Sequence, residues 1–137
     1  MSDIKITVTP RFERNCASSG SKWEPKMGYS RAVRSGNWIA VTGTVGIEAD
    51  GTYSKSLEAQ TRRSLKIIEA ALIALGSSLH HVIRTRMFVT DVSKWEQVAK
   101  AHGEVFSEIR PATTIVEIAK LIDGDAQIEI EADTVVP

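Results

Sequence analysis

The sequence predicts an α+β fold in which two helices pack on one face of a mixed β-sheet. Two segments carry apolar residues at helical period, and the other regular segments alternate in polarity or are rich in β-branched residues. The predicted order is strands, helix, strand, helix and two strands, which is typical of layered α+β proteins. A chain of 137 residues is long enough for its own core, so we expect residues 1–137 to form a single domain.

The first predicted element is a β-hairpin. Residues 29–34 and 38–42 have strand character and are separated by the turn residues Ser35, Gly36 and Asn37. Residues 43–46 contain two glycines and predict a strand end or a bulge. Before the hairpin, the Ser, Gly and Pro content of residues 15–28 favours irregular structure. Because Trp23 argues against disorder, we expect an ordered loop that packs on this chain or on a neighbouring subunit.

Residues 56–75 predict the first long helix. Its apolar residues recur every three or four positions on one stripe, formed by Leu65, Ile68, Leu72 and Leu75. Ser56 is a suitable N-cap, and Gly76 suits the left-handed position beyond the C-terminus. Residues 81–90, rich in Val, Ile, Thr and Phe, predict the strand that follows.

A second long helix is predicted from residue 93 to about residue 109. Ser93 and Glu96 have the spacing of a capping box, in which each side chain accepts a hydrogen bond from the other residue's amide. Pro111 cannot continue a helix, because it lacks an amide proton and its ring clashes with the preceding turn. The helix is therefore expected to end just before it.

The last two strands are predicted at residues 110–119 and 127–132. In the second of them the residue types alternate with a period of two. One face then carries Gln127, Glu129 and Glu131, and the other carries Ile128, Ile130 and Ala132. Paired carboxylates on one strand face are usually the solvated side of an amphipathic strand.

The sheet face away from the helices is expected to be apolar. Its candidate residues, which depend on strand register, are Val33, Val41, Phe88 or Met87, and Val116 or Ile115. An uncovered apolar face favours association with other subunits.

Charge and composition exclude several classes of protein. Seventeen basic residues balance seventeen acidic ones, so no electrostatic footprint for nucleic acid or for an anionic membrane is predicted. The N-terminus has no signal-peptide pattern, and no apolar run approaches the roughly 20 residues of a membrane span. A single cysteine, Cys16, fits a reducing compartment. We therefore expect a cytoplasmic protein that binds neither nucleic acid nor membranes.

Residues 110–119 and 127–132 together resemble the C-terminal third of the Rid proteins, the YjgF-like enamine/imine deaminases. The resemblance is strong from about Arg31 onward and looser from Ser18. It implies a chorismate-mutase-like fold and a homotrimer whose sheets surround a central barrel. It also implies small-molecule clefts between subunits and a hydrolysis that requires no metal or cofactor.

The resemblance implies a role for several residues. Glu129 matches the family carboxylate that positions the hydrolytic water, and a carboxylate can orient water and accept its proton. Tyr29 matches the family tyrosine that follows a glycine, and Thr42 and Gly43 match a Ser-Gly pair that lines the cleft. Glu131 has no such counterpart, so we interpret it as structural.

One position departs from the family pattern. After Pro111 and Ala112, the active deaminases carry an arginine that binds the substrate carboxylate, and Thr113 stands here instead. A threonine donates one neutral hydrogen bond, whereas arginine offers a charge-assisted, bidentate pair. Arg110 and Arg31 are the nearest alternative cations, and Thr114 is expected to line the cleft beside Thr113. The sequence resembles a branch of the family that lacks this arginine.

Two functions follow from these residues. The first is an enamine/imine hydrolase acting on a substrate other than a short free amino-acid derivative. The second is a non-catalytic trimer that binds a small ligand or a partner protein, which a cleft filled by Trp23 would favour. No metal site is predicted, because the adjacent residues His80 and His81 direct their side chains apart.

Overall fold

A computed structural model describes residues 3–137, which form one seven-stranded sheet with two long helices on one face. The strands are β1 (Thr7–Arg11), β2 (Arg14–Ser18), β3 (Ala32–Ser35), β4 (Trp38–Val45), β5 (Val82–Val89), β6 (Ala112–Glu117) and β7 (Ile128–Val135). The helices are α1 (Trp23–Met27), α2 (Leu57–Ala74) and α3 (Trp95–Phe106). The strand order is β1-β2-β3-β4-β7-β5-β6, with β5 and β6 parallel and the other neighbours antiparallel. The predicted α+β class is confirmed.

The core lies between the sheet and helices α2 and α3. β7 runs through its centre and alternates as predicted, with Ile128 and Ile130 fully buried and Glu129 and Glu131 on the opposite face. The largest fully buried apolar side chains are Ile39, Leu65, Ile68, Leu72, Ile128 and Ile130. None of the helices within residues 3–137 combines the length and the apolar character that crossing a bilayer requires.

Helix α2 begins and ends where the sequence predicts. The Ser56 side chain accepts a hydrogen bond from the Ala59 amide at 3.2 Å. At the other end Gly76 is left-handed (φ 78°), and the Ser77 amide donates to the Leu72 carbonyl at 2.8 Å. That geometry closes a helix on the residue type that tolerates positive φ at least cost.

The buried amide of Gln60 connects α2 to the start of β7. Its Nε2 donates to the Ser54 and Asp125 carbonyls at 2.8 and 3.0 Å, and its Oε1 accepts from the Gln127 amide at 2.8 Å. All of the strong hydrogen-bonding groups of this side chain therefore have partners, which a fully buried amide requires. These contacts fix the chain two residues before Glu129.

The prediction of irregular structure for residues 15–28 is wrong. Most of this segment forms β2 and α1, and β2 pairs with a further strand, β1. The turn between β1 and β2 consists of Phe12 (φ 48°) and Glu13 (φ 63°). Two-residue hairpin turns with positive φ normally use Asn or Gly, so these two residues give no turn signal.

Both predicted ends of α3 need correction. The capping box is not formed, because Asp91 accepts the Ser93 amide at 3.0 Å and the Ser93 hydroxyl at 2.6 Å. A short 3₁₀ turn results, and α3 begins at Trp95 without a side-chain cap. The helix ends at Phe106, earlier than predicted, where the Arg110 amide donates to the Phe106 carbonyl at 2.8 Å.

The open face of the sheet is less apolar than predicted. The register directs Val41, Met87 and Ile115 toward the helices, and leaves Val33, Phe88 and Val116 on the open face. The middle of that face is charged, since Arg86 lies 3.2 Å from Glu131 and 3.1 Å from Asp133. The open face thus combines apolar side chains with an ion-pair network.

Gly46 lies against helix α2, and Gly103 lies within α3 on a side with open space. A Cβ at Gly46 would overlap the Gln60 carbonyl oxygen of α2, whereas one at Gly103 meets no atom within 4 Å. We expect Gly46→Ala to lower the free energy of unfolding by about 1–3 kcal/mol through overpacking, and Gly103→Ala, within α3, to raise it by about 1 kcal/mol. Chemical denaturation measures both. A Gly46→Ala variant as stable as the wild type would show that α2 shifts freely.

Candidate functional site

An open cleft of about 1000 Å³ lies beside the outward face of β7. Its floor includes Gly43 and Glu129, and its sides are the connection from residue 118 to 125 and the segment from residue 19 to 23. The apolar part of the lining includes Phe88, Ile118 and Ile122. Pockets that combine an apolar lining with a few convergent polar groups are typical ligand sites.

Glu129 lies directly over Gly43. The β4–β7 register shifts between Val41 and Thr44, as the predicted bulge requires, and Gly43 lies in the shifted segment. A Cβ at position 43 would be 2.7 Å from Glu129 Cδ and 3.0 Å from its Oε1. Glycine is therefore needed for the carboxylate to take this position.

Thr42 connects two neighbouring segments of the chain. Its hydroxyl donates to the Ser30 carbonyl at 2.6 Å, and its amide donates to the Arg31 carbonyl at 2.9 Å. Thr42 also lines a second, smaller cavity on the β2–β4 side, beside Tyr29. Thr42 thus joins the Tyr29 segment to β4, and its place in a substrate cleft stays a prediction.

Arg31 is a buried cation that lines the cleft beside its floor, with 7% of its surface exposed. Its Nη1 donates to the Gly43 carbonyl at 2.8 Å and to Thr44 Oγ1 at 3.3 Å. Its Nη2 lies 3.4 Å from the Tyr29 hydroxyl and 3.8 Å from Glu24 Oε2. The guanidinium thus holds Tyr29 and Gly43 in place, and most of its donors are already engaged.

Glu24 ties the α1 segment to this cation. Its carboxylate is buried, and it accepts hydrogen bonds from the Ser19 amide at 3.3 Å and the Ser19 hydroxyl at 2.9 Å. Gly28, left-handed at φ 74°, ends the five-residue helix. The predicted ordered segment therefore packs on its own chain, and Trp23 lies on the wall of the cleft.

The two carboxylates of β7 differ in their surroundings. Burial raises the pKa of Glu129, the positive charge of Arg31 lowers it, and the negative charge of Glu131 adds a smaller increase, so that the net shift is upward. Glu131 instead pairs with Arg86 at 3.2 Å. A carboxylate of raised pKa is a stronger base than one of ordinary pKa.

The remaining candidates lie on or beside β6, away from this cleft. Thr113 faces the helices, where its Oγ1 is 2.8 Å from Thr85 Oγ1. Thr114 faces outward opposite Arg86 of β5. Arg110 is left-handed (φ 55°) in the connection that closes α3. Within one chain, the candidate residues therefore form a cleft group and a separate β6 group.

Comparison with known proteins assigns the chain to a family. Residues 20–136 match the family described as Endoribonuclease L-PSP. A crystal structure from Mycobacterium tuberculosis, described as a member of the highly conserved YjgF/YER057c/UK114 family, has a TM-score of 0.84 at 45% identity and covers 90% of this chain and 99% of its own. The chain belongs to the YjgF-like, or Rid, family.

Other relatives of this Rid-family chain carry more specific names. The 2-iminobutanoate/2-iminopropanoate deaminase of Salmonella typhimurium is 30% identical over 108 residues, which is 76% of this chain and 84% of the deaminase. The structure of Escherichia coli TdcF with bound serine has a TM-score of 0.75 at 26% identity and covers 80% of this chain and 88% of its own. The structural relatives share the chorismate-mutase-like fold, which confirms that prediction.

Sequence reasoning missed several residues that shape the site of this Rid-family chain. The Tyr53 hydroxyl donates to Asp123 Oδ2 at 2.7 Å and so anchors the connection that forms one side of the cleft. Burial, together with that carboxylate, raises the pKa of Tyr53. Glu24 and Gln60 were missed in the same way. Their partners lie on other elements, so no local pattern indicates them.

The raised pKa of Glu129 leads to a prediction about stability. A carboxyl group whose folded-state pKa exceeds its unfolded value favours the folded state at low pH, and this contribution is lost as the pH rises through the folded-state pKa. Glu129→Gln keeps the shape and removes the charge. We therefore expect the variant to have a higher Tm than the wild type at pH 7.

The difference in Tm should disappear below the ordinary glutamate pKa of about 4.3, and thermal unfolding monitored by circular dichroism across pH measures it. Glu131→Gln is the matched control. Losing the Glu131 carboxylate breaks the ion pair with Arg86, and it removes no unfavourable burial of an unpaired charge. If Glu129→Gln is less stable than the wild type at pH 7, the attraction to Arg31 outweighs the cost of burying the carboxylate.

Proposed function

We propose that this Rid-family chain is a small-molecule hydrolase of the enamine/imine type, with Glu129 as its catalytic base. The observation that carries the proposal is the position of the Glu129 carboxylate, held over Gly43 inside the cleft. Burial raises its pKa and so increases its basicity at neutral pH. A close relative in the family is named as an imine deaminase, which supports the same class of reaction.

The reaction assigns a distinct role to each cleft residue. Water adds to the carbon of the protonated imine while Glu129 accepts one of its protons, which forms a neutral carbinolamine. The protonated Glu129 donates this proton to the amine nitrogen. As the C–N bond breaks, the carbinolamine hydroxyl gives its proton to the Glu129 carboxylate, and ammonia and a carbonyl compound leave. Glu129 then releases to solvent the proton that the protonated imine brought. Arg31 does not touch the reacting atoms in this scheme. It positions Tyr29 and Gly43 and stabilises the ionised form of Glu129.

The substrate is proposed to be other than a short free amino-acid derivative. Thr113 stands where the active deaminases carry their carboxylate-binding arginine, and Arg31 is engaged by Gly43, Thr44, Tyr29 and Glu24. Hydrogen bonds to charged groups contribute about 1.5–3 kcal/mol and neutral ones about 1 kcal/mol. The difference of about 0.5–2 kcal/mol corresponds to a loss of carboxylate affinity of roughly two- to thirtyfold.

The alternative, a non-catalytic binding trimer, receives less support. A cleft filled by Trp23 would have favoured it, but Trp23 lies on the wall with Lys22 and Lys26 near its ring, 5.0 and 5.4 Å from the centroid. The balance of seventeen basic and seventeen acidic residues supports a small-molecule ligand over nucleic acid, despite the family description. The proposed cytoplasmic location rests on the single cysteine, Cys16, which is free.

Two variants test the catalytic role of Glu129: one removes its charge, and the other displaces its side chain. Glu129→Gln removes the base, and Gly43→Ala places a methyl group where the Glu129 side chain now lies. Each should slow imine hydrolysis about a hundredfold or more, the usual contribution of a positioned base. The measurement is the lifetime of imines generated in situ by an L-amino-acid oxidase from a panel of amino acids.

Glu131→Gln is the control for these variants and should change the rate only slightly, because Glu131 is paired with Arg86. Circular dichroism checks that each variant is folded. Equal losses from Glu131→Gln and Glu129→Gln would assign the effect to the ion-pair network of the open face and remove Glu129 from the base role.

We further propose that three chains assemble and that β6 of one chain completes the cleft of the next. The cleft group and the β6 group lie apart within one chain, β6 is an edge strand, and Trp38 and Val116 expose apolar surface on the open face. Closed symmetric assembly is the usual way to cover such surfaces. Light scattering should give about three times the 15.0 kDa chain mass. A monodisperse monomer would contradict the assembly and the shared cleft.

A further inference from the structure

An apolar strip in the cleft begins beside Glu129. Phe88 of β5 is the direct cross-strand partner of Glu129 on β7, and both residues line the cleft. Directly opposed residues project from the same face of a sheet, with their Cβ atoms about 4.5–5.5 Å apart. Phe88 therefore presents an apolar surface to a group that binds next to the Glu129 carboxylate.

The strip continues from β5 onto the connection that follows β6. Val116 of β6 lies opposite Phe88, and the Ile118 amide then donates to the Val89 carbonyl at 2.8 Å. Ile118 lines the cleft, and so does Ile122, of which 70% is exposed. Because neighbouring strands are about 4.8 Å apart, the strip extends roughly 10 Å from β7 across β5 to the end of β6.

Hydrogen bonds hold both sides of the cleft in place, and one side carries the apolar ring of Trp23. On that side, the buried Glu24 carboxylate accepts from the Ser19 hydroxyl at 2.9 Å. On the other side, the Tyr53 hydroxyl donates to Asp123 at 2.7 Å. A ligand that meets preformed sides loses less free energy in ordering them.

Several charged residues of the cleft lining already have partners in the protein. Arg63 Nη1 lies 2.9 Å from Asp3, and its Nε lies 3.5 Å from Glu48. Glu131 lies 3.2 Å from Arg86. These paired groups are less available to a ligand than the apolar strip, whose side chains gain stability when a ligand removes them from water.

We infer that the apolar strip binds a bulky apolar group carried by the imine carbon of the substrate, with Ile122 and Trp23 as specificity-determining residues. The inference rests on the proposed function, because it takes Glu129 as the base that fixes the position of the imine carbon. A methyl group is too short to extend along a strip of roughly 10 Å. A branched aliphatic or aromatic group covers much more of it and buries apolar surface on both partners.

The test uses three stable, uncharged amides that differ only in their apolar group: acetamide, isovaleramide and phenylacetamide. These amides carry the side chains of alanine, leucine and phenylalanine, and the amide carbon stands in for the imine carbon. Affinities are measured by NMR titration of the wild type, Ile122→Ser, Ile122→Leu and Ile73→Ser. Ile73 is an isoleucine of α2 that is 61% exposed and lies outside the cleft, so Ile73→Ser is the matched control.

The wild type and Ile73→Ser should bind isovaleramide and phenylacetamide about tenfold or more tightly than acetamide, the effect of roughly two buried methylene groups. Ile122→Ser should weaken both larger amides about fourfold, the effect of roughly one methylene group, and leave acetamide unchanged. Ile122→Leu, which stays apolar, should retain the preference. The signals of the Trp23 indole proton and the Ile122 methyl groups should shift on binding, and those of the Ile73 methyl groups should not.

Equal affinity for the three amides would overturn the inference, and so would the absence of binding by the larger two or an equal loss from Ile73→Ser and Ile122→Ser. The oxidase-coupled assay with alanine, leucine and phenylalanine tests the proposed function separately. If the larger amides bind as expected and no imine is hydrolysed, the hydrolase proposal fails and the apolar subsite stands. If the imines are hydrolysed with equal kcat/KM and the amides bind equally, the reverse holds.

Discussion

The buried guanidinium of Arg31 is the interaction on which the rest of the site depends. Burying a charge is costly unless it is paired and hydrogen-bonded, and here the partners come from several parts of the chain. Glu24 of α1 supplies the opposite charge, Gly43 and Thr44 of β4 supply oxygen acceptors, and the Tyr29 hydroxyl accepts from Nη2. One cation thus fixes the cleft wall, the cleft floor and an aromatic side chain relative to each other.

The same cation sets the electrostatics of Glu129. Burial alone would favour the protonated carboxyl group, whereas Arg31 favours the carboxylate, and burial is the larger effect. The result is a half-buried carboxylate whose pKa is raised by burial and lowered, to a smaller extent, by a positive charge. Most donors of Arg31 are engaged by protein atoms. A structural ion pair and the proposed base therefore depend on one buried group.

The sequence predicted those parts of the fold whose signal is local. α2 has a full helical stripe, a capping serine and a closing glycine, and β7 has a strict alternation, so both were found. The β1–β2 hairpin was missed because Phe12 and Glu13 do not indicate a turn, and α1 is too short to show a period. The contacts of Arg31 within the chain were missed for a related reason. Its partner Gly43 is twelve positions away, and only the register of β3 on β4 brings them together.

The period of β-strands also explains why one chain does not complete the proposed site. Side chains alternate between the two faces of a sheet, so Glu129 on the open face and Thr113 on the helix face cannot converge within a single sheet. In the proposed assembly a second sheet edge would bring them together, and β6 is the edge strand beside β5. A group at position 113 would then lie beside the cleft of another copy. Glu129 and Thr113 share no hydrogen bond within the described chain, so a substitution at position 113 leaves the contacts of Glu129 and of Arg31 unchanged.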